Sequence, residues 1–264
     1  VSEDQISRFY KNAMADQALM REIQVKIPAR PHDGLEIDLS SCLSTWESVG
    51  VSWMAQQDAM GGFIEFTRAK MAYDFLHEST QKYLLMIDTD TAPCIDLPWL
   101  LVRHEAPIVG SCIVSMSPDG RRMLCFSRAD LSGISRFIDF EDGDKIPATG
   151  LAEVPHCGTG AMMIRRDVLE SFSWDKKDGI WDIPFFVPDD VMARGLRSGK
   201  LIEGEDIRFC KQAKEKGIPV QVDMEAHCGH TKPMRLLFPP QLRDPSLDVK
   251  DWIAPQKGMA LTNG

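Results

Sequence analysis

Apolar and polar positions along this chain follow two alternating periods. Ile6, Phe9, Tyr10, Ala13 and Met14 recur at helical spacing behind Ser2-Glu3-Asp4-Gln5, a capping-box pattern, and predict an N-terminal amphipathic helix. A short strand over Ile23 to Ile27, broken by Pro28, comes next, followed by a helical stretch over Leu35 to Glu47 and a strand over Val51 to Ala55. Phe63, Phe66, Ala69, Ala72, Phe75 and Leu76 give Phe63 to His77 one buried helical face, leading into the apolar run Tyr83-Leu84-Leu85-Met86-Ile87. A short, unbroken apolar run of this kind reads as a buried strand. The alternation of strand and helix predicts an α/β domain whose sheet is mostly parallel, with right-handed crossovers.

A strand over Pro107 to Val114 is expected after that, then a turn at Pro118-Asp119-Gly120 and a short strand over Met123 to Phe126. Arg128 to Gly150 is turn-rich and carries no firm pattern. Gly158-Thr159-Gly160-Ala161-Met162-Met163-Ile164 joins a glycine turn to a strand, with a helix starting near Arg166. Trp174 to Gly199 reads as a long surface loop, and its aromatics Trp174, Trp181, Phe185 and Phe186 are expected to pack it onto its own domain. Glu205 to Lys216 is a helix with Ile207, Cys210 and Ala213 on one face and Gly217 as its stop. Val220 to Val222 makes a last strand, leading to His227-Cys228-Gly229-His230. The organisation expected is an N-terminal helix over 1–22, a catalytic domain over 23–231 and a C-terminal extension over 232–264.

Composition narrows the class. At 264 residues and 44% hydrophobic content the chain supports a substantial core. No stretch approaches the roughly 20 apolar residues of a membrane span, and the first residues are polar and acidic, unlike a secretory signal. Seven dispersed cysteines without a C-x-x-C pair match reduced, mostly buried thiols, so a cytoplasmic protein is expected. The net charge of -9 opposes broad attraction to nucleic acid, although Arg121, Arg122, Arg194, Arg197 and Lys200 leave room for a local basic groove. An acidic protein handling an anionic ligand needs a bridging cation.

The chemistry concentrates in a few short segments. Asp88-Thr89-Asp90 follows the Tyr83 to Ile87 strand, at the carboxyl edge where open α/β sheets hold ligands. Thr67-Arg68-Ala69-Lys70 precedes it on a helix; Gly158-Thr159-Gly160-Ala161, Gly204-Glu205-Asp206 and Gly229-His230 follow in order. This succession resembles the nucleotide-sugar-dependent glycosyltransferases of GT-A fold, close to the inverting family 2 group, over roughly residues 23 to 231.

The resemblance implies a Rossmann-like GT-A domain binding Mn²⁺ or Mg²⁺ and a nucleotide-sugar, with a UDP-sugar favoured. Asp88, Asp90 and His230 map onto the metal site, Asp90 and His230 on the cation and Asp88 toward ribose or a metal-bound water. Imidazole beside a carboxylate leans toward manganese. Asp206, with Glu205 as the alternative, maps onto the general base that deprotonates the acceptor. Pro28, Ala29, Arg30, Asp58 and Arg68 map onto the nucleotide end, and Gly158, Thr159 and Gly160 onto the turn beside the donor sugar. Lys70 and Met71 depart from the Arg-Asn of many relatives, and Ala59-Met60-Gly61 from their polar turn. The implied reaction moves a sugar to an acceptor hydroxyl with inversion. The acceptor is a glycan, a protein side chain or, as among bacteria and their phages, a hydroxymethylated DNA base.

Two other readings compete: a nucleotidyltransferase of related fold, and a zinc-containing binding module built on His156-Cys157 and His227-Cys228-x-His230. The N-terminal helix is a candidate interface element.

Overall fold

A computed structural model describes residues 2–29, 35–57, 64–116, 120–129, 135–139, 143–174, 176–177, 180–181, 183–185, 204–231, 235–236, 243–249 and 252. Helix α1 (Glu3–Ala15) starts on the expected capping box: the Gln5 backbone N–H donates to Ser2 Oγ at 3.3 Å, and the Ser2 N–H donates to Gln5 Oε1 at 2.8 Å. Its Phe9 and Ala13 are buried in one apolar cluster with Ile23, Val25 and Ile27, whereas Ile6, Tyr10 and Met14 stay exposed. A short α2 (Gln17–Met20) turns the chain into β1 (Ile23–Ala29), then α3 (Ile37–Ser48), β2 (Ser52–Gln57), α4 (Ile64–Glu78) and β3 (Tyr83–Ile87).

β3 coincides with the expected strand and explains why that run has no polar position. Leu84 and Met86 face a cluster that includes Met71 and Phe75 of α4, while Tyr83, Leu85 and Ile87 face the cluster of α1, α3 and β1. A strand buried on both faces must be apolar throughout. Each such side chain contributes about 1.5–3 kcal/mol on burial.

β1 runs through Pro28 rather than stopping there. It pairs with β2 from Gln24 to Ala29 but with β3 only from Ile23 to Lys26. On the β3 side no ladder bond is left for the proline's missing N–H to break.

The chain continues through β4 (Thr91–Pro93), α5 (Leu97–Val102), β5 (Ile108–Met116), β6 (Arg122–Ala129), β7 (Ser135–Asp139), β8 (Ile146–Pro147), β9 (Leu151–Glu153), β10 (Ala161–Arg165) and α6 (Arg166–Glu170). β11 (Lys176–Lys177) and β12 (Ile180–Trp181) pair with each other, and then come α7 (Glu205–Glu215), β13 (Val220–Thr231), β14 (Arg235–Leu236) and β15 (Arg243–Asp244), which pairs with β8. The main sheet has the order β14-β13-β5-β10-β3-β1-β2. β2, β1 and β3 are parallel neighbours, as are β5 and β13, and β10 is inserted antiparallel between β3 and β5. The mostly parallel α/β class is therefore as expected.

β13 is longer than the Val220 to Val222 expected. A register shift between Asp223 and His227 breaks the alternation that marks a strand in sequence, and β13 then resumes, pairing with β5 on one side and antiparallel to β4 on the other. All seven cysteines are free. Among the described residues no helix is long and apolar enough to cross a membrane.

Candidate active site

The site forms where β3, β5 and β13 end. β4 doubles back from the Asp88-Thr89-Asp90 turn to pair Thr91 with His230, and the Thr231 N–H donates to the Asp90 carbonyl at 2.7 Å. That pairing sets His230 Nε2 3.1 Å from Asp90 Oδ2 across a sequence gap of 140 residues. The other face of the turn meets the glycine segment: the Asp88 N–H and the Thr91 hydroxyl donate to the Gly160 carbonyl at 3.1 and 2.9 Å. A Cβ on Gly160 would lie 2.9 Å from Ile113 Cδ1 and 3.6 Å from Asp88 Oδ2, so glycine here permits a close approach rather than a tight turn.

Arg68 ties three elements together. It projects from α4, its side chain only 6% exposed, and pairs with Asp88 at 2.7 Å and with Glu205 at the start of α7. Its planar fork suits two carboxylates at once. Glu205 is therefore a partner of the guanidinium, and the next residue, Asp206, faces the cleft instead. Asp206 Oδ1 accepts the Ile207 N–H at 2.7 Å, and Oδ2 lies 3.6 Å from where a Cβ of Gly158 would stand. Burial raises the Asp206 pKa above the ordinary aspartate value and the Asp88 carboxylate adds to this, against the opposing pull of Arg68.

These groups line one cleft of about 310 Å³, shared by Arg68, Asp88, Thr91, Gly158, Thr159, Gly160, Asp206 and His230. That volume is within the usual range of small-molecule sites. Asp90 adjoins the cleft through His230. Thr159 is buried, and its hydroxyl has no hydrogen-bond partner among the described residues. Pro28 and Ala29 end β1 at the same sheet edge, paired with Gln56 and Gln57, and are not among the cleft residues. Arg30 and Asp58 lie outside the described residues, as do Phe186, Arg194, Arg197 and Lys200.

The three residues mapped onto the metal site are not placed alike. Asp88 is held by Arg68, so only Asp90 and His230 face each other, and among the described residues no group of three His, Cys, Asp or Glu side chains converges as a metal site. The pair by itself fits a cation. The 3.1 Å between them is a hydrogen-bond distance, and it is also close to the spacing of about 3 Å between two ligands at right angles on an octahedral ion, each about 2.1 Å from it. The zinc alternative finds no such cluster either: His156 lines this cleft, His227 lines a separate one, and the carbonyl of the buried Cys157 accepts from the Cys210 thiol.

Several cleft residues were not anticipated from the sequence for this site. Met123, Cys125, Phe137 and His156 also line the cleft. His156 stands two residues before the glycine turn, a local signal that could have found it; Phe137 has none. The loop aromatics that are described do pack as expected. Trp174 donates its indole N–H to the Leu169 carbonyl at 3.0 Å, and Phe185 stacks on Phe209 with centroids 4.3 Å apart.

No protein-family model and no curated protein matches this chain. Among solved structures it is similar to A197 from STIV, with a TM-score of 0.53 at 18% identity, over 84% of this chain and 91% of that one. It is also similar to GalNAc-T7, solved with UDP, GalNAc and Mn²⁺, with a TM-score of 0.43 at 11% identity. That match covers 80% of this chain and 46% of that one, so this chain spans less than half of GalNAc-T7. At these identities the likeness concerns the fold. With its antiparallel β10 set in a mostly parallel sheet flanked by helices, the chain has a mixed α/β fold similar to that of A197.

Proposed function

We propose that the protein is a metal-dependent glycosyltransferase that moves a sugar from a nucleotide-diphosphate donor, a UDP-sugar being favoured, to an acceptor hydroxyl with inversion. The observation that carries this reading is the convergence of Arg68, Asp88, the Gly158 to Gly160 turn, Asp206 and His230 on one cleft at the carboxyl edge of the sheet. Asp90 and His230 are the residues that hold Mn²⁺, or Mg²⁺, and the nitrogen ligand favours manganese. The cation, when bound, supplies positive charge to the departing diphosphate.

Asp206 is the general base. It takes the acceptor proton as the acceptor oxygen bonds to the anomeric carbon and the C–O bond to the diphosphate breaks, the electron pair leaving with the nucleoside diphosphate. A pKa lifted by burial brings its basicity closer to working pH than that of a solvated aspartate. Glu205 serves differently: with Asp88 it compensates the buried Arg68 and fixes the first turn of α7, so that Asp206 points inward. Asp88 is the carboxylate that faces the nucleotide, and Thr159 lies in the turn beside the donor sugar.

The test is release of UDP from a panel of UDP-sugars, with Mn²⁺ and with chelator, by wild type and Asp90→Ala. Metal-dependent release lost in Asp90→Ala is the expected result. Full activity in chelator would remove the metal from the reaction, and turnover only of nucleoside triphosphates with sugar phosphates would favour the nucleotidyltransferase.

A further inference from the structure

The cleft has two unlike walls. One is the acidic turn with Arg68 and His230; the other is Met123, Cys125, Phe137 and His156, from the β6–β7 pair and the strand bridge at Cys157. This second wall is anchored to the glycine turn, because the Gly158 N–H donates to the Cys125 carbonyl at 2.6 Å. It is thereby brought alongside Asp206.

Phe137 is 38% exposed and lines the cleft, and its ring stands edge-on to His156 at 5.6 Å and 79°. His156 is 8% exposed as a residue. No hydrogen bond of its ring nitrogens is found among the described residues, and the residue lines the cleft. Burial, with the positive charges of Lys211 and Lys214, holds its pKa down at about 4. A neutral imidazole offers one donor and one acceptor, the pair that a hydroxyl uses. Among the described lining residues Arg68 is the only guanidinium or ammonium, and it is already committed to Asp88 and Glu205. Beyond what a bound cation would supply to the donor diphosphate, the described lining has no further positive charge for the phosphates of a nucleic acid.

We propose that this wall is the acceptor subsite and that the acceptor is a sugar ring of a glycan. Phe137, with Met123, packs under the C–H face of the ring, and His156 holds a ring hydroxyl beside Asp206. The inference rests on the glycosyltransferase reading and adds the acceptor class to it. A hydroxymethylated base in DNA would stack on Phe137 equally well, but its flanking phosphates find no free cation in the described lining.

The experiment separates the two claims. Hydrolysis of UDP-sugars by wild type, with water as acceptor and Mn²⁺ present, tests the transferase reading alone; if no UDP-sugar is bound or hydrolysed, that reading falls and this inference with it. Where it stands, wild type is offered methyl glycosides and short oligosaccharides on one arm and a duplex containing 5-hydroxymethylcytosine on the other. Transfer to glycosides is expected, with the acceptor KM raised about 10-fold or more in Phe137→Ala and in His156→Gln while kcat falls much less. Phe137→Ala is a surface change that tests the wall even if His156→Gln melts early. Transfer to the duplex and not to glycosides, or an unchanged acceptor KM in a folded Phe137→Ala, overturns the proposal.

Discussion

Two carboxylate–histidine pairs meet β13, and they are built in opposite ways. Asp223 is fully buried: His104 Nε2 lies 2.8 Å from its Oδ2, Arg103 lies 3.1 Å from the same oxygen, and the Glu225 N–H donates to Oδ1 at 2.8 Å. Arg103 also pairs with Glu225. Asp90 and His230 keep 34% and 14% of their side chains exposed, and His230 lines the cleft. A buried carboxylate must be saturated by the protein itself, whereas one that works on a ligand must stay within its reach. The first pair fastens the register shift at Asp223 to α5, and that shift brings β13 back into line so that His230 faces Asp90. The buried pair supports the more exposed one.

Breaking each pair should therefore have opposite signatures. The largest effect on turnover is expected from Asp206→Asn, which keeps the shape of the cleft and removes the base: kcat should fall by about 10²–10⁴. The same variant should melt higher at neutral pH. A pKa raised in the fold means that ionising Asp206 costs stability. The penalty is absent below the ordinary aspartate value, grows as pH rises toward the folded value and is complete above it. For wild type the corresponding expectation is an acid limb of activity at a pH above that of an ordinary aspartate, where Asp206 takes up its proton. A variant that melts no higher, with a wild-type pH profile limited at an ordinary carboxylate value, would remove Asp206 from this role.

Asp223→Ala should act on stability instead, lowering it by about 3–5 kcal/mol in urea unfolding because Arg103 and His104 lose their shared carboxylate. If stability is unchanged, the buried pair is not the support described here. His230→Ala should do the reverse, changing stability by only about 0.5 kcal/mol while lowering Mn²⁺-dependent turnover on the order of 10²-fold. Loss of fold in that variant would make His230 structural. The smallest change is His104→Gln, which keeps a donor for Asp223 and should cost about 1 kcal/mol.

The difference between the pairs also explains what could be read from the sequence. Local patterns were reliable: the capping box of α1 and the whole of β3 follow from spacing alone. The Asp-x-Asp turn, Arg68 and the Glu205-Asp206 start of α7 were visible as motifs because each is local. Partnerships were not. β4 is three residues long and exists because β13 pairs with it, α5 is a six-residue helix whose Pro98 and short length hide its period, and the Asp223 shift masks the rest of β13. That Glu205 would turn to Arg68 and leave Asp206 to the cleft is a tertiary choice between adjacent acids. Phe137 enters the site from β7, a region with no sequence pattern, and is known only from where the fold carries it.

The central claim is that Asp90 and His230 hold a cation on which a nucleotide diphosphate depends. Thermal unfolding of wild type and Asp90→Ala with UDP, each with Mn²⁺ and with chelator, tests it most directly, since a ligand bound only by the folded state raises the melting temperature by mass action. UDP should raise the melting temperature of wild type when Mn²⁺ is present, and should leave it unmoved in chelator and in Asp90→Ala. An equal UDP shift in chelator, or a full Mn²⁺-dependent shift in Asp90→Ala, would contradict the account.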